Sequence, residues 1–442
     1  MYNGKNHKQG IPEGTIEMFG ESLDLQTQIT GIIETVYREF GFDLLRTPIL
    51  EYAEVFKGHH GEGEKFLFNI HDHKNEDLVL RYDLTVPLAR YISNHSDVPI
   101  PFKRYQIAAV FRDNKKSNGH LREFTQCDAD IVGTSDLTAD SEIVSMAYVG
   151  LLRLGFSDFV INVNHRRIIN AIYEKSELLY SPEGRKNLQK TLDEIHRFLE
   201  KWEHHNDPDY QDSFDASVDK ILKKHKLSPK TLEIVRSILS FKGSFDQKLS
   251  AMKNFLEGFP EAVSGIEELK EITSYLDSEA KEKINFDVSL VREFDYYTGF
   301  ILEGNIPNIP IGAVLGGGRF DNLVRSFGGR DIPAVGMAFD LESIAASLMA
   351  DGVATELCSA IRALVVPRSR EEKTKLLDEA RKLRRMGMSV DYIPMISYTE
   401  DEILVYARKR GFSFLITNDP KGLQIRNIKD GSNLSNILLV TT

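Results

Sequence analysis

The residues best placed to do chemistry fall between Pro101 and Gly133, in PFKRYQIAAVFRDNKKSNGHLREFTQCDADIVG. Alternating apolar residues at 105–111 and 123–132 predict two strands, and the polar stretch 113–119 between them predicts a turn. Arg112 ends the first strand and Arg122 opens the return. Two guanidiniums that cannot lose their charge therefore flank a loop containing Lys115 and Lys116. Such a hairpin suits a polyphosphate; the same charges also suit an ordinary solvated hairpin.

A second candidate is Gly316, Gly317 and Gly318 in LGGGRFDNLV. Three glycines would weaken a strand, and they let the backbone approach a ligand closely. No GxGxxG or GKT/S order is present, which excludes Rossmann and Walker phosphate loops. His59, His60, His71 and His73 lack HExxH or Cys-paired spacing, so no metal site is expected. Cys127 and Cys358 are too few for a disulfide framework and read as packed, reduced thiols.

The elements around these residues are those of a soluble multidomain chain. Its 442 residues suggest two to four domains, and 41% hydrophobic content is ordinary for a globular protein. No apolar run is long enough to span a membrane, and MYNGKNHKQG lacks a signal-peptide core, so a cytoplasmic location is expected. A net charge of −11 argues against nonspecific nucleic-acid binding by the whole chain. Residues 361–442 hold 15 Lys plus Arg against 10 Asp plus Glu, a local +5 that leaves −16 for the rest. A modestly basic tail on an acidic body is compatible with an RNA contact.

In chain order, Ser22 is expected to cap a helix with Leu25, Ile29, Ile32, Ile33, Val36 and Phe40 on one face, stopped by Gly41. A strand over 43–49 follows, with Pro48 near its end, as at an edge. LVLRYDLTVPLARY passes from a short strand into a helix opened by Asp83, Thr85 and Pro87, whose oxygens and fixed φ suit a helix start. A helix over 140–155 turns Ile143, Met146, Val149 and Leu152 inward, before a strand over 159–163. Residues 174–283 are Lys- and Glu-rich and helical in period, with loops at 204–212 and Gly243. Leu192, Ile195, Phe198, Leu199, Ile266, Leu269, Ile272 and Leu276 form narrow apolar stripes there. The last 80 or so residues alternate strands and helices, an α/β unit with a mixed sheet.

The hairpin resembles motif 2 of a class II aminoacyl-tRNA synthetase, and REFTQCDADIVG resembles the histidyl enzyme family in particular. FDVSLVREFDYYTG resembles that family's histidine motif, and RYDLTVP and LGGGRFDNLV continue the match over almost the whole chain. The resemblance implies an α/β fold with an α+β core: an antiparallel class II sheet flanked by helices, a helical insertion, and a C-terminal anticodon-binding-like domain. The domains would be 1–173 and 284–350 for the catalytic core, 174–283 for the insertion and 361–442 for the tail. It also implies that Arg112 and Arg292 are catalytic, stabilising charge as a carboxylate attacks the α-phosphate, where a fixed guanidinium offsets converging negative charge. Asp83, Thr85, Gln126, Asp130, Tyr296, Tyr297, Gly316 and Gly317 would bind L-histidine. Arg112, Asn114, Arg122, Phe124 and Arg292 would bind ATP, with Mg2+. The segment 43–49 would belong to a homodimer interface, and Lys223, Lys224, His225 and Lys226 would approach the acceptor arm of tRNA-His.

The pattern departs at AVGMAFDLESI, residues 334–344. There the family carries a glycine and an arginine that pins the γ-phosphate; here the positions are Asp340 and Ser343. Asn114, His120 and Leu121 also depart, the lead GIPEGTIEMF lacks expected arginines, and the chain ends at 438–442 without the customary final helix. The expected function is activation of L-histidine with ATP and transfer to tRNA-His, an AMP-forming ligase reaction impaired by Asp340 and Ser343. The alternatives are a non-charging histidine sensor, similar to the regulatory partner of ATP phosphoribosyltransferase, and a paralogue that adenylates histidine for another acceptor.

Overall fold

The strands at 102–111 and 123–132 lie second and third from one edge of a large sheet in the computed structural model, which describes residues 10–57, 66–113, 121–202, 210–292, 296–307, 309, 311–351, 362–395, 397–419 and 422–434. Readings that concern His59, His60, Asn114, Lys115, Lys116, His120, Cys358 and 438–442 lie outside the described residues, as does most of the loop at 204–212.

The first helix, Glu21–Glu39, starts one residue before Ser22 and buries Ile29, Ile33 and Val36 at helical spacing. It ends before Gly41, whose φ of +79° glycine adopts without penalty. The strand expected over 43–49 is shorter: β1 covers Asp43–Leu44, and β2 begins only at Leu50–Tyr52. Pro48 cannot donate to a ladder. The Thr47 carbonyl instead accepts from buried Arg81 Nη1 at 3.0 Å. Strands β3 (Asn69–His71) and β4 (Asp77–Leu80) join β2 in a small antiparallel sheet, order β2-β4-β3. The helix Thr85–Asn94 follows, its first turn fixed by Asp83, whose Oδ1 accepts from Val86 N at 3.1 Å.

Strands β5 (Phe102–Phe111) and β6 (Glu123–Val132) pair along their whole length. The helix Leu137–Arg153 then buries Ile143, Met146, Ala147 and Leu151, while Leu152 is 41% exposed and Val149 half-buried, against the expected inward face. A strict spacing of three drifts about 60° per step on a helix of 3.6 residues per turn, so the buried face moves to i+4 positions. Strands β7 (Val160–His165) and β8 (Ile284–Phe286) pair in parallel. Between them the chain runs through helices from Arg166–Lys175 to Ser278–Glu282. These bury Leu192, Ile195, Ile266, Leu269 and Ile272, with Phe198 and Leu199 half-buried, and Leu276 is buried in the turn before the helix Ser278–Glu282 rather than on a helix stripe. Strands β9 (Phe300–Asn305), β10 (Ala313–Arg319) and β11 (Ala334–Asp340) complete an eight-stranded sheet of order β1-β5-β6-β11-β10-β9-β7-β8. Its five central pairings are antiparallel. The helix Leu341–Asp351 leaves β11 directly.

The chain divides into two compact units, and residues from 354 onward, with 18–28, form the second. It carries β12 (Arg362–Val365), the helix Glu372–Arg385, β13 (Ser389–Tyr392), the helix Glu400–Lys409, β14 (Phe414–Asp419), β15 (Gly422–Asn427) and β16 (Asn433–Leu434). Strand order is β13-β12-β14-β15-β16, parallel at β12 and antiparallel beyond β14. This is the mixed α/β unit that the tail's pattern predicts. No described helix is long and apolar enough to cross a membrane.

Candidate functional site

Strand β6 alternates, so Gln126, Asp128 and Asp130 share one face of the sheet while Cys127 and Ala129 point to the other. Cross-strand register sets what lies beside them. On β11, Asp130 faces Gly336, Asp128 faces Ala338 and Gln126 faces Asp340; Gly316 on β10 lies between Ala338 and Glu303 of β9. The small residues hollow the sheet's centre. A Cβ on Gly336 would clash with Asp130 Oδ1, and one on Gly316 would lie 2.6 Å from Arg292 Cζ. The resulting pocket is lined by Asp83, Thr85, Gln126, Asp128, Asp130 and Arg292, together with Tyr296, Tyr297, Gly316, Gly317 and neighbours on β11. Every residue expected to bind histidine is therefore gathered there.

The pocket's polar groups have distinct surroundings. Arg104, fully buried on β5, pairs with Asp130 at 2.6 Å and donates to the Leu84 carbonyl at 3.1 Å. Burial pushes Asp130 up to about 6 even though Arg104 pulls it down. Asp128, more weakly held by Thr85 Oγ1 at 3.5 Å, is pushed well above the carboxylate range by burial and by Asp130 and Asp83. Asp128 Oδ1 and Gln126 Oε1 are buried without a hydrogen-bond partner among the described residues. At the far wall, Arg292 Nη1 donates to Glu303 Oε2 at 2.9 Å, and its guanidinium lies 6.0 Å from the Tyr297 ring centre. Tyr296 and Tyr297 have ring centroids 4.8 Å apart.

The residues expected to bind ATP are less uniformly placed. The Arg112 guanidinium lies between the Tyr82 ring, at 4.5 Å, and the Phe124 ring, at 4.8 Å. Arg122 instead pairs with Asp113, donates to the Glu13 carbonyl at 3.2 Å and covers the Phe68 ring. Asp340 Oδ1 caps the helix Leu341–Asp351 by accepting from Ser343 N at 2.7 Å. Glu342 accepts from Thr125 N at 2.8 Å, and burial, with Asp340 nearby, raises it to about 7.

That shift has a stability consequence. A raised acid holds in the folded state a proton that the unfolded chain has lost, so Glu342 costs stability as pH rises from the carboxylate range through about 7. Glu342→Gln keeps an acceptor for Thr125 N and removes that cost. It is expected to raise the melting temperature above pH 7 by the equivalent of about 1–2 kcal/mol, discounted for partial exposure, and to leave it unchanged at pH 4. Melting profiles parallel at all pH values would contradict this.

Sequence reasoning passed over Arg104, Asp128, Glu303 and His196. Asp128 shares the period-two face of Gln126 and Asp130, and Arg104 holds a position that alternation turns inward; both signals were present. Nothing local links Glu303 and His196, which are 107 positions apart and hydrogen-bonded at 3.1 Å. Of the four basic residues expected to approach RNA, Lys224 and His225 are paired with Glu194. Among the described residues no group of three or more His, Cys, Asp or Glu is placed to hold a metal ion.

The family model described as histidyl-tRNA synthetase matches residues 21–344. A histidine–tRNA ligase of Aeropyrum pernix is 33% identical over 383 residues, 86% of this chain and 83% of that protein. One of Christiangramia forsetii is 28% identical, covering 96% of each. Among solved structures, histidyl-tRNA synthetase from Nostoc sp. PCC 7120 superposes with a TM-score of 0.74 at 23% identity, covering 97% of both chains. A Bacillus halodurans protein described as an ATP phosphoribosyltransferase regulatory subunit/histidyl-tRNA synthetase gives 0.69 at 22%, covering 93% of this chain and 99% of that one. The larger unit thus has the class II synthetase fold, and the chain belongs to the histidyl-tRNA synthetase family.

Proposed function

We propose that the pocket binds L-histidine and that the chain activates it with ATP as the adenylate for transfer to tRNA-His, at a rate held down by Asp340 and Ser343. The observation that carries this reading is the convergence of opposite chemistries in one pocket. Buried acceptors on β6, Gln126 Oε1 and Asp128 Oδ1, line the same pocket as the Arg292 guanidinium. An amino acid with an ammonium, a donor-bearing side chain and a carboxylate satisfies both ends, and a buried polar group left without a partner is costly.

Two guanidiniums, Arg112 and Arg292, suit an α-phosphate. The residues where the family holds the γ-phosphate do not suit that group, because Asp340 is anionic and Ser343 offers a neutral side chain in place of a guanidinium. Mg2+ belongs to the triphosphate and would arrive with it. Exposed Leu44, Ile49, Leu50 and Tyr52 on the short strands β1 and β2 and the turn between them support a homodimer; sedimentation as a monomer at micromolar concentration would overturn it. The basic tail unit supports an RNA contact, and a cytoplasmic location accompanies the whole reading.

The test is histidine-dependent exchange of pyrophosphate into ATP. Exchange above the histidine-free rate supports activation. Binding of histidine with no exchange would overturn it. It would favour the second reading, a histidine-responsive regulatory protein, which the acids at Asp340 and Glu342 support.

A further inference from the structure

The wall of the pocket is braced from outside the sheet. His196 lies on the helix Pro182–Trp202, in the helical run between β7 and β8, yet its ring is only 5% exposed and sits between two carboxylates of the pocket region. Nδ1 is 2.6 Å from Asp287 Oδ2 and Nε2 is 3.1 Å from Glu303 Oε1. Ionised carboxylates only accept, so both ring nitrogens must donate and the ring is an imidazolium. Burial opposes that charge, but Asp287 and Glu303 raise His196 well above its ordinary range, and Glu303 is held down at about 2 by His196 and Arg292 despite its own burial.

Both carboxylates bear on Arg292. Glu303 Oε2 accepts from Arg292 Nη1 at 2.9 Å. Asp287 Oδ1 accepts from Ser289 N at 2.8 Å and Ser289 Oγ at 2.5 Å, folding the segment that leads from β8 to Arg292. One imidazolium thus fixes the base of the loop and the carboxylate that aims the guanidinium.

We propose that His196 is a positioning residue for Arg292: through Glu303 and Asp287, the helix Pro182–Trp202 sets where the pocket's guanidinium stands. The inference rests on the reading of the pocket as an amino-acid site and names what controls its carboxylate end. Without His196, Glu303 loses a charged partner and can rotate, and Arg292 follows it away from Gly316. A ligand carboxylate then loses its partner, while the donor groups at the other end of the ligand keep theirs.

The test compares L-histidine with L-histidinol, which lacks the carboxylate, on the full chain and on His196→Gln. The expected result is at least about tenfold weaker binding of L-histidine with histidinol affinity changed less than about twofold. Equal losses for both ligands, or none for either, would overturn the proposal. A crystal structure of unliganded His196→Gln reads the same claim without any ligand. A guanidinium displaced from Glu303 supports it, and one still within hydrogen-bond distance at its wild-type position overturns it. If the wild-type chain binds neither ligand, the amino-acid reading fails, and the crystal structure alone decides the positioning role.

Discussion

Replacing Asp340 by Gly and Ser343 by Arg together is expected to raise histidine-dependent pyrophosphate exchange by about 10²–10³-fold, most of it as a lower KM for ATP. The physical ground is a reversal of charge where a triphosphate would lie. Asp340 is on β11 beside Gln126, on the pocket face. Two unit charges about 4 Å apart interact by about 4 kcal/mol at an effective dielectric of 20, which is the size of a change of about 10²–10³-fold at about 1.4 kcal/mol per tenfold. Losing the cap bond that Asp340 accepts from Ser343 N costs the fold little, because glycine at an N-cap costs only a few tenths of a kcal/mol against Asp. Unchanged exchange in a folded double variant would contradict the view that these residues restrain activation and would turn the search toward a regulatory role.

Gly316→Ala should cost about 10²-fold in exchange while leaving the fold intact. An added Cβ would stand 2.6 Å from Arg292 Cζ and 2.7 Å from Nη2, the far end of a side chain that can move, so the guanidinium yields and the backbone does not. Gly336→Ala is the informative contrast. Its Cβ would meet Asp130 Oδ1 and also the Ala129 carbonyl at 2.8 Å, backbone that cannot step aside. That variant is expected to lose stability by several degrees as well as activity. Gly316→Ala with wild-type exchange would show that Arg292 need not stand where the structure has it.

The sequence carried the pocket well because its residues are packed into a few short words. RYDLTVP, QCDAD, DYYTG and LGGGR each put their chemistry on one strand or turn, and the period of two fixes which side chains share a face. The same locality explains the departures. Pro48 and the Arg81 guanidinium cut the strand after Leu44, which a propensity reading of 43–49 passes over. Leu152 faces outward because a face extended in steps of three drifts around the helix. Arg122, which the resemblance assigns to the phosphates, has partners that no local pattern shows, Asp113 and the Glu13 carbonyl, the second of these 109 positions away. The bracing of Arg292 by His196 was beyond reach for the same reason: a helix stripe reads as packing, and no local pattern tells a buried histidine where its two carboxylates will come from.

The most direct test of the account is a calorimetric titration of L-histidine into the wild-type chain, with L-glutamine as the control ligand. Saturable binding of one histidine per chain is expected, with no saturable heat from L-glutamine, whose amide lacks the imidazole's reach and shape in this pocket. No saturable heat from L-histidine at millimolar concentration, or equal binding of the two, would contradict the assignment of the pocket formed by β6, β10, β11 and Arg292.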